Sequence, residues 1–221
     1  MDTLDTSRAR KAIFERIRKA QGRPEQVSPD ERAAVRDYLE RHPVGPQPAV
    51  GEDLIARFIL QAERMSDTVE RVVARADVPA AVARYLDAEG IARQAIGWDT
   101  LKDLAWAGAG IEFAARPPQN ADKVGITGCF CAVAETGTLM LLSGPETFAS
   151  ASLLPETHIA ILDASRIVAS MEDAFALARA ERGELPRAVN FISGPSRTAD
   201  IEQTIVLGAH GPYRVHVVLI G

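Results

Sequence analysis

At 221 residues with a formal net charge of −5, the chain suffices for one domain with a sizeable core, and its acidic balance, with no basic stripe interleaved by aromatics, argues against nucleic acid as a partner. It is 47% apolar and 25% charged, an ordinary globular composition, and no apolar run approaches the ~18 residues of a membrane span. The start, Met1-Asp2-Thr3-Leu4-Asp5, is acidic and lacks a signal-peptide core. Two cysteines cannot build a disulfide framework or a four-cysteine metal site. A cytoplasmic setting is the expectation.

Taken in order, residues 7 to 21 read as an amphipathic helix, with Ile13, Phe14 and Ile17 on one side and basic residues elsewhere. That basic face is either a solvated surface or a dock for an acidic partner. Ser28-Pro29-Asp30-Glu31 has capping-box form and starts a helix that ends near Arg41, because His42-Pro43-Val44-Gly45-Pro46-Gln47-Pro48 cannot continue it. Residues 1–48 are thus expected as an N-terminal helical extension and residues 49–221 as the main domain. Leu54, Ile55, Phe58, Ile59 and Ala62 mark a helix over Glu52–Met65. Strands and helices then alternate: strand Thr68–Ala74, helix Val78–Glu89, strand Ile91–Ile96, a short helix Asp99–Ala105 and strand Ile111–Ala114. After a glycine-rich stretch come capping-box spacing at Ser143–Glu146, strand His158–Leu162, helix Ser170–Ala180, strand Val189–Ile192 and a closing strand Val215–Ile220. This alternation predicts an α/β fold, a mostly parallel sheet with helices on both faces.

Residues 1–116 hold about 37 of the 55 charged side chains, so the quieter second half is the place for the sheet core and its site. It contains two loops rich in small residues. Gly125 to Gly144 carries a single carboxylate, Glu135, in Glu135-Thr136-Gly137, just before the apolar strand Thr138–Leu142. A lone acid at the lip of a core strand needs partners; it is structural, a general base or ligand binder, or a carboxylate nucleophile. The second loop, Ser193-Gly194-Pro195-Ser196-Arg197-Thr198-Ala199-Asp200-Ile201-Glu202, is expected to become a helix. Its N-terminus would cradle a carboxylate or phosphate, with Arg197 as clamp, or Ser196 and Thr198 would simply cap it. Asp200 and Glu202, two apart, cannot share a helix face. His210, before Gly211-Pro212, is a candidate acid/base group or a turn residue. Both loops follow strands and are expected to meet at the carboxyl edge of the sheet.

Cys129 and Cys131, if on one strand, share a face and form either a redox pair or two small buried apolar residues. The four histidines are scattered, and Cys-x-x-Cys, His-Glu-x-x-His, Walker and dinucleotide spacings do not occur. No cofactor is expected on this chain; iron–sulfur or flavin chemistry would belong to a partner.

Gly125-Ile126-Thr127-Gly128, Ala134-Glu135-Thr136-Gly137-Thr138, Ser152-Leu153-Leu154-Pro155, His158-Ile159, Ile192 to Glu202 and Gly208-x-His210-Gly211-Pro212 together closely resemble the LUD-domain family, and within it the lactate-utilisation branch. The ordered set spans roughly residues 120 to 221. The resemblance implies a fold similar to the NagB/RpiA/CoA-transferase group. It also implies a role in oxidising L-lactate to pyruvate beside iron–sulfur partner proteins, as an accessory or catalytic subunit. The family motif carries an acidic residue soon after Ile-Thr-Gly, where this chain has Cys129-Phe130-Cys131, so no metal or proton-relay role is carried to that position. With the loop reading, the candidate site comprises Glu135 and His210 as reacting groups. Thr127, Gly128, Thr136, Gly137, Thr138, Ser193, Gly194, Ser196, Arg197, Thr198 and Asp200 are candidate binders of a small carboxylate or a partner. The alternatives are an acyl or CoA transferase using Glu135, by analogy of Glu135-Thr136-Gly137 to the transferase Glu-x-Gly element, and a non-enzymatic scaffold subunit.

Overall fold

The structure, a computed structural model, describes residues 5–24, 26–198 and 206–221. Two compact units divide the chain, one ending at Pro46 and one running from Gln47 to Gly221. The first holds helix α1 (Ser7–Ala20) and helix α2 (Pro29–Arg41). Ser28 caps α2 by accepting from the Glu31 amide at 3.2 Å, with Pro29 in the first turn. Neither helix buries a residue.

In the second unit the elements run α3 (Leu54–Arg64), β1 (Thr68–Val72), α4 (Val78–Ala88), β2 (Gln94–Gly97), β3 (Glu112–Ala115), β4 (Val124–Gly128), β5 (Cys131–Val133), β6 (Thr138–Leu142), α5 (Ser150–Leu153), β7 (Thr157–Asp163), β8 (Ile167–Val168), α6 (Met171–Arg182), β9 (Val189–Ile192), β10 (Arg197–Thr198), β11 (Val206–Leu207) and β12 (Arg214–Ile220). Six strands form a wholly parallel sheet in the order β1-β12-β7-β4-β2-β3. One face of this sheet carries α4, whose Tyr85 ring stacks on His216 of β12 at 3.9 Å. The opposite face carries α5, packed so closely that a Cβ at Gly125 would collide with the Ala151 carbonyl. Helices therefore flank both faces, as parallel strands require.

A second, four-stranded sheet, in the order β8-β5-β6-β9, has no counterpart in the sequence reading. The chain enters it through Cys129-Phe130 and doubles back in the β5–β6 hairpin. Its residues alternate between two cores. Ala132, Ala134, Leu139 and Leu141 join the main core against the parallel sheet, whereas Cys131, Val133, Met140 and Leu142 pack with Ala174 and Ala178 of α6. Burial on both sides explains why Thr138–Leu142 is apolar without alternation.

Other expectations change with the geometry. Ser143–Glu146 starts no helix, because the Ser143 hydroxyl is engaged by the Ala188 amide at 2.9 Å and the segment closes as a turn. The helix predicted after Ser193 does not begin at Arg197-Thr198. These residues pair antiparallel with Val206–Leu207, and Asp200 and Glu202 lie outside the described residues. Asp99–Ala105 shrinks to a three-residue 3-10 turn, Asp99–Leu101.

Two loops of the second sheet dock on the corner between α3 and β1. Gly137, at φ +69°, would drive a Cβ into the backbone of Gln61 and Ala62, and Gly194, at φ +78°, into the Met65 carbonyl. Both positions combine left-handed backbone with a close approach that only glycine permits. Gly137→Ala is expected to cost roughly 3 kcal/mol or more in urea denaturation, from backbone strain plus overpacking. Gly90→Ala, at φ +65° but facing open space, carries only the strain, about 1 kcal/mol. Equal losses would show that the docking carries no energy.

Candidate functional site

The two predicted loops do adjoin one another, but at the edge opposite to the one expected. β6 and β9 are antiparallel with Leu139 opposite Ile192, so the Glu135–Gly137 turn before β6 and the Ser193 loop after β9 lie at the same end. That end faces the start of β1, because Gly194 packs on Met65 just ahead of Thr68. The turn before β12 joins them: the Ser196 amide donates to the Pro212 carbonyl at 2.7 Å, and the Gly208 amide to the Ser196 carbonyl at 2.9 Å. The cluster thus occupies the amino edge of the parallel strands. The carboxyl-edge rule fails here because the loops belong to the second sheet, whose β5 runs back after β4 has ended.

At the centre of this edge is Asp67, a residue the sequence reading passed over. It is 4% exposed, and among the described residues neither carboxylate oxygen has a well-formed hydrogen bond, although the Gly194 amide points its dipole at the group. Burial pushes its carboxyl up to about 7, against the opposing pull of the Arg197 charge and the Gly194 dipole. Arg197 spans the corner above, donating to the Met65 carbonyl at 3.1 Å and to the Ser66 hydroxyl. Ser66 itself sits at φ +75°, in the left-handed region that a non-glycine residue seldom adopts. Among the described residues both acceptors of Arg197 are neutral, and its charge acts through space on Asp67.

The remaining candidates are distributed as follows. Glu135 is half-exposed, and its side chain makes no hydrogen bond or ion pair among the described residues; its amide donates to the Ala169 carbonyl at 3.1 Å. Thr136 bonds Thr138 across the turn at 2.7 Å, Gly137 is buried against α3, and Thr138 is buried. Ser193 and His210 are exposed, Ser196 is half-buried and Thr198 is buried. Two candidates stand apart. Thr127 is fully buried on β4 and is held by His158 Nε2 at 2.8 Å. Gly128 ends β4 at the carboxyl edge, over the Trp98 ring.

Cys129 and Cys131 do not share a strand face. The chain crosses between sheets there, placing half-buried Cys129 against the main core and buried Cys131 in the smaller one, its Sγ 3.5 Å from Met140 Sδ. Burial raises both thiols, Cys131 to about 11, so both are held as thiols. Among the described residues no group of three His, Cys, Asp or Glu is placed to hold a metal ion, and no helix is long and apolar enough to cross a membrane.

Residues 55–220 match the profile of the LUD domain, and the chain belongs to that family. It is 34% identical over 96% of its length to lactate utilization protein C of Exiguobacterium sp., covering 95% of that protein. A shorter match, 42% identical over 101 residues, covers 44% of this chain and 42% of lactate utilization protein C of Bacillus subtilis. The crystal structure of a DUF162 family protein from Deinococcus radiodurans shares the fold, with a TM-score of 0.60 at 24% identity over 79% of this chain and 100% of that one.

The buried acid has a pH signature. Its folded value of about 7 lies above the ordinary 3.8, so the folded state holds the extra proton and stability falls as pH rises from about 4 to about 7. Buried His158 and His216, pushed down to about 3 and about 4 by burial, act in the opposite sense and remove stability as pH falls below about 6.5. The Asp67→Asn variant isolates the acid. Relative to it, the wild type is expected to lose on the order of a few kcal/mol between pH 4 and pH 8 in urea titrations. A pH-independent difference would contradict the assignment.

Proposed function

We propose that this chain is a component of an L-lactate utilisation system, in which lactate is oxidised to pyruvate beside iron–sulfur partner proteins. The observation that carries the reading is the likeness, over nearly the whole chain, to a protein named lactate utilization protein C. Oxidation of lactate to pyruvate releases two electrons and two protons. In this reading the electrons pass to clusters in the partner proteins, and the chain's own residues hold the carboxylate substrate or the partner. Cytoplasmic placement belongs to the same proposal.

The amino edge suits a small carboxylate. Arg197 is exposed, donates among the described residues to a carbonyl and a hydroxyl, and presents a planar fork that matches a carboxylate. Asp67 beneath it is poised near neutral pH. A carboxylate arriving on Arg197 therefore raises Asp67 further and draws a proton onto it. The Glu135 turn and His210 border the same edge, exposed enough to touch a bound acid or a partner.

The experiment is growth on L-lactate as sole carbon source after deletion of this chain. Growth is expected to fail, and to return with the wild-type chain. The purified chain alone is expected to leave lactate unoxidised until its partners are added. Arg197→Ala, an exposed position, is expected to fold normally and to weaken L-lactate binding roughly ten- to a hundredfold in calorimetry, the worth of a charge-assisted hydrogen bond. Unimpaired growth of the deletion strain, or full lactate oxidation by the isolated chain, would overturn the reading.

A further inference from the structure

The carboxyl edge of the parallel sheet, opposite to the site described above, holds a cleft of about 930 Å³. That volume is within the range of small-molecule sites, roughly 300–1,000 Å³, and the place is where open α/β sheets bind ligands. Trp98 follows β2, Cys129 and Phe130 follow β4, and Arg166 lies just beyond β7. Leu142 and the turn after β6 form a second wall, and the end of α6 a third. None of these residues was singled out as a binding group by the sequence.

The floor is aromatic, and two arginines stand over it. Two guanidinium groups lie over the Phe130 ring, Arg166 at 4.7 Å and Arg182 at 5.8 Å from its centroid. Arg166 is committed: it donates to the Phe130 carbonyl at 2.8 Å and pairs with Glu181 at 2.5 Å. Arg182 makes no hydrogen bond or ion pair among the described residues. One carboxylate, Glu181, therefore answers two cations at this floor. On the rim, Glu146 acts on Lys102, which already pairs with Asp99, and Glu184 is exposed to solvent. The lining thus holds three exposed carboxylates, Glu146, Glu181 and Glu184, against two arginines. Solvated charges of this kind contribute little at a distance, so an anion here is drawn by direct contact with the Arg182 fork and not by a net positive field.

We propose that this cleft is a second binding site, which takes an organic monoanion with a planar or apolar body. The body lies along Phe130 beside Trp98 and Leu142, and the anionic group takes the free fork of Arg182. Stacking holds that guanidinium over an aromatic ring and leaves its N–H edge for a carboxylate. No bond is made or broken; the site recognises.

The structure supplies its own reporters. Both tryptophans are largely buried, but Trp98 lines the cleft with its indole N–H on the Phe148 carbonyl, whereas Trp106 lies away from it, donates to the Leu101 carbonyl and stacks on Phe113. The test is a ¹H–¹⁵N NMR titration of the full chain with 2-naphthoate and, in parallel, with the neutral 2-naphthalenemethanol. Naphthoate is expected to shift the Trp98 indole signal saturably and leave that of Trp106 in place. Arg182→Gln, at the exposed end of α6, is expected to weaken naphthoate about tenfold or more and leave the neutral probe unchanged. The proposal falls if Trp98 does not move, if both indoles move together, or if Arg182→Gln affects the two probes equally.

Discussion

The architecture turns on one crowded corner, the passage from α3 into β1. Here the ends of two loops press glycine backbone onto Gln61, Ala62 and Met65. Each contact is closer than any side chain allows, and together they fasten the far end of the second sheet to the start of the first. Asp67 is buried beside the Gly194 loop, in the short step between helix and strand. An unpaired buried carboxyl is costly. The molecule meets that cost by shifting the acid toward its neutral form and by holding Arg197 nearby. Strain and desolvation of this kind persist where surrounding packing enforces them.

This arrangement gives the main unit two edges with different physics. The amino edge has a buried acid, an arginine with neutral acceptors, and turns whose hydroxyls and backbone groups lie close together. At the carboxyl edge there is an open cleft with an aromatic floor and two arginines over the Phe130 ring. The parallel sheet between them is fully packed, and its buried polar pair, Thr127 with His158, is neutral. The double-sided second sheet separates the two edges. β6 starts at one and ends at the other, so its five buried residues, Thr138–Leu142, span the distance.

Much of this organisation is legible in the sequence because it rests on local signals. Helical period identified α3, capping chemistry fixed α2, and the alternation of strands with helices, α4 and α6 among them, predicted the parallel sheet. The two glycine-rich loops stood out because glycine at tight approaches leaves a compositional mark. What stayed hidden depends on long-range packing. Val124–Gly128 and Cys131–Val133 are close in sequence but enter different sheets, and no local feature marks Cys129-Phe130 as a crossing. Asp67 reads as an ordinary surface charge between helix and strand, yet it is buried beside the Gly194 loop, more than a hundred residues later. Arg182 likewise looks like a helix-terminal cation until Phe130 is placed beside it.

The central claim is that a carboxylate ligand and the buried acid share the field of Arg197. The direct measurement is a ¹³C NMR titration of the Asp67 side-chain carboxyl, with and without saturating L-lactate. The account predicts a midpoint near 7 for the free protein and a clear upward shift when lactate is bound, as a second negative charge enters the corner. A midpoint near the ordinary carboxylate value, or one that lactate leaves unmoved, would contradict it.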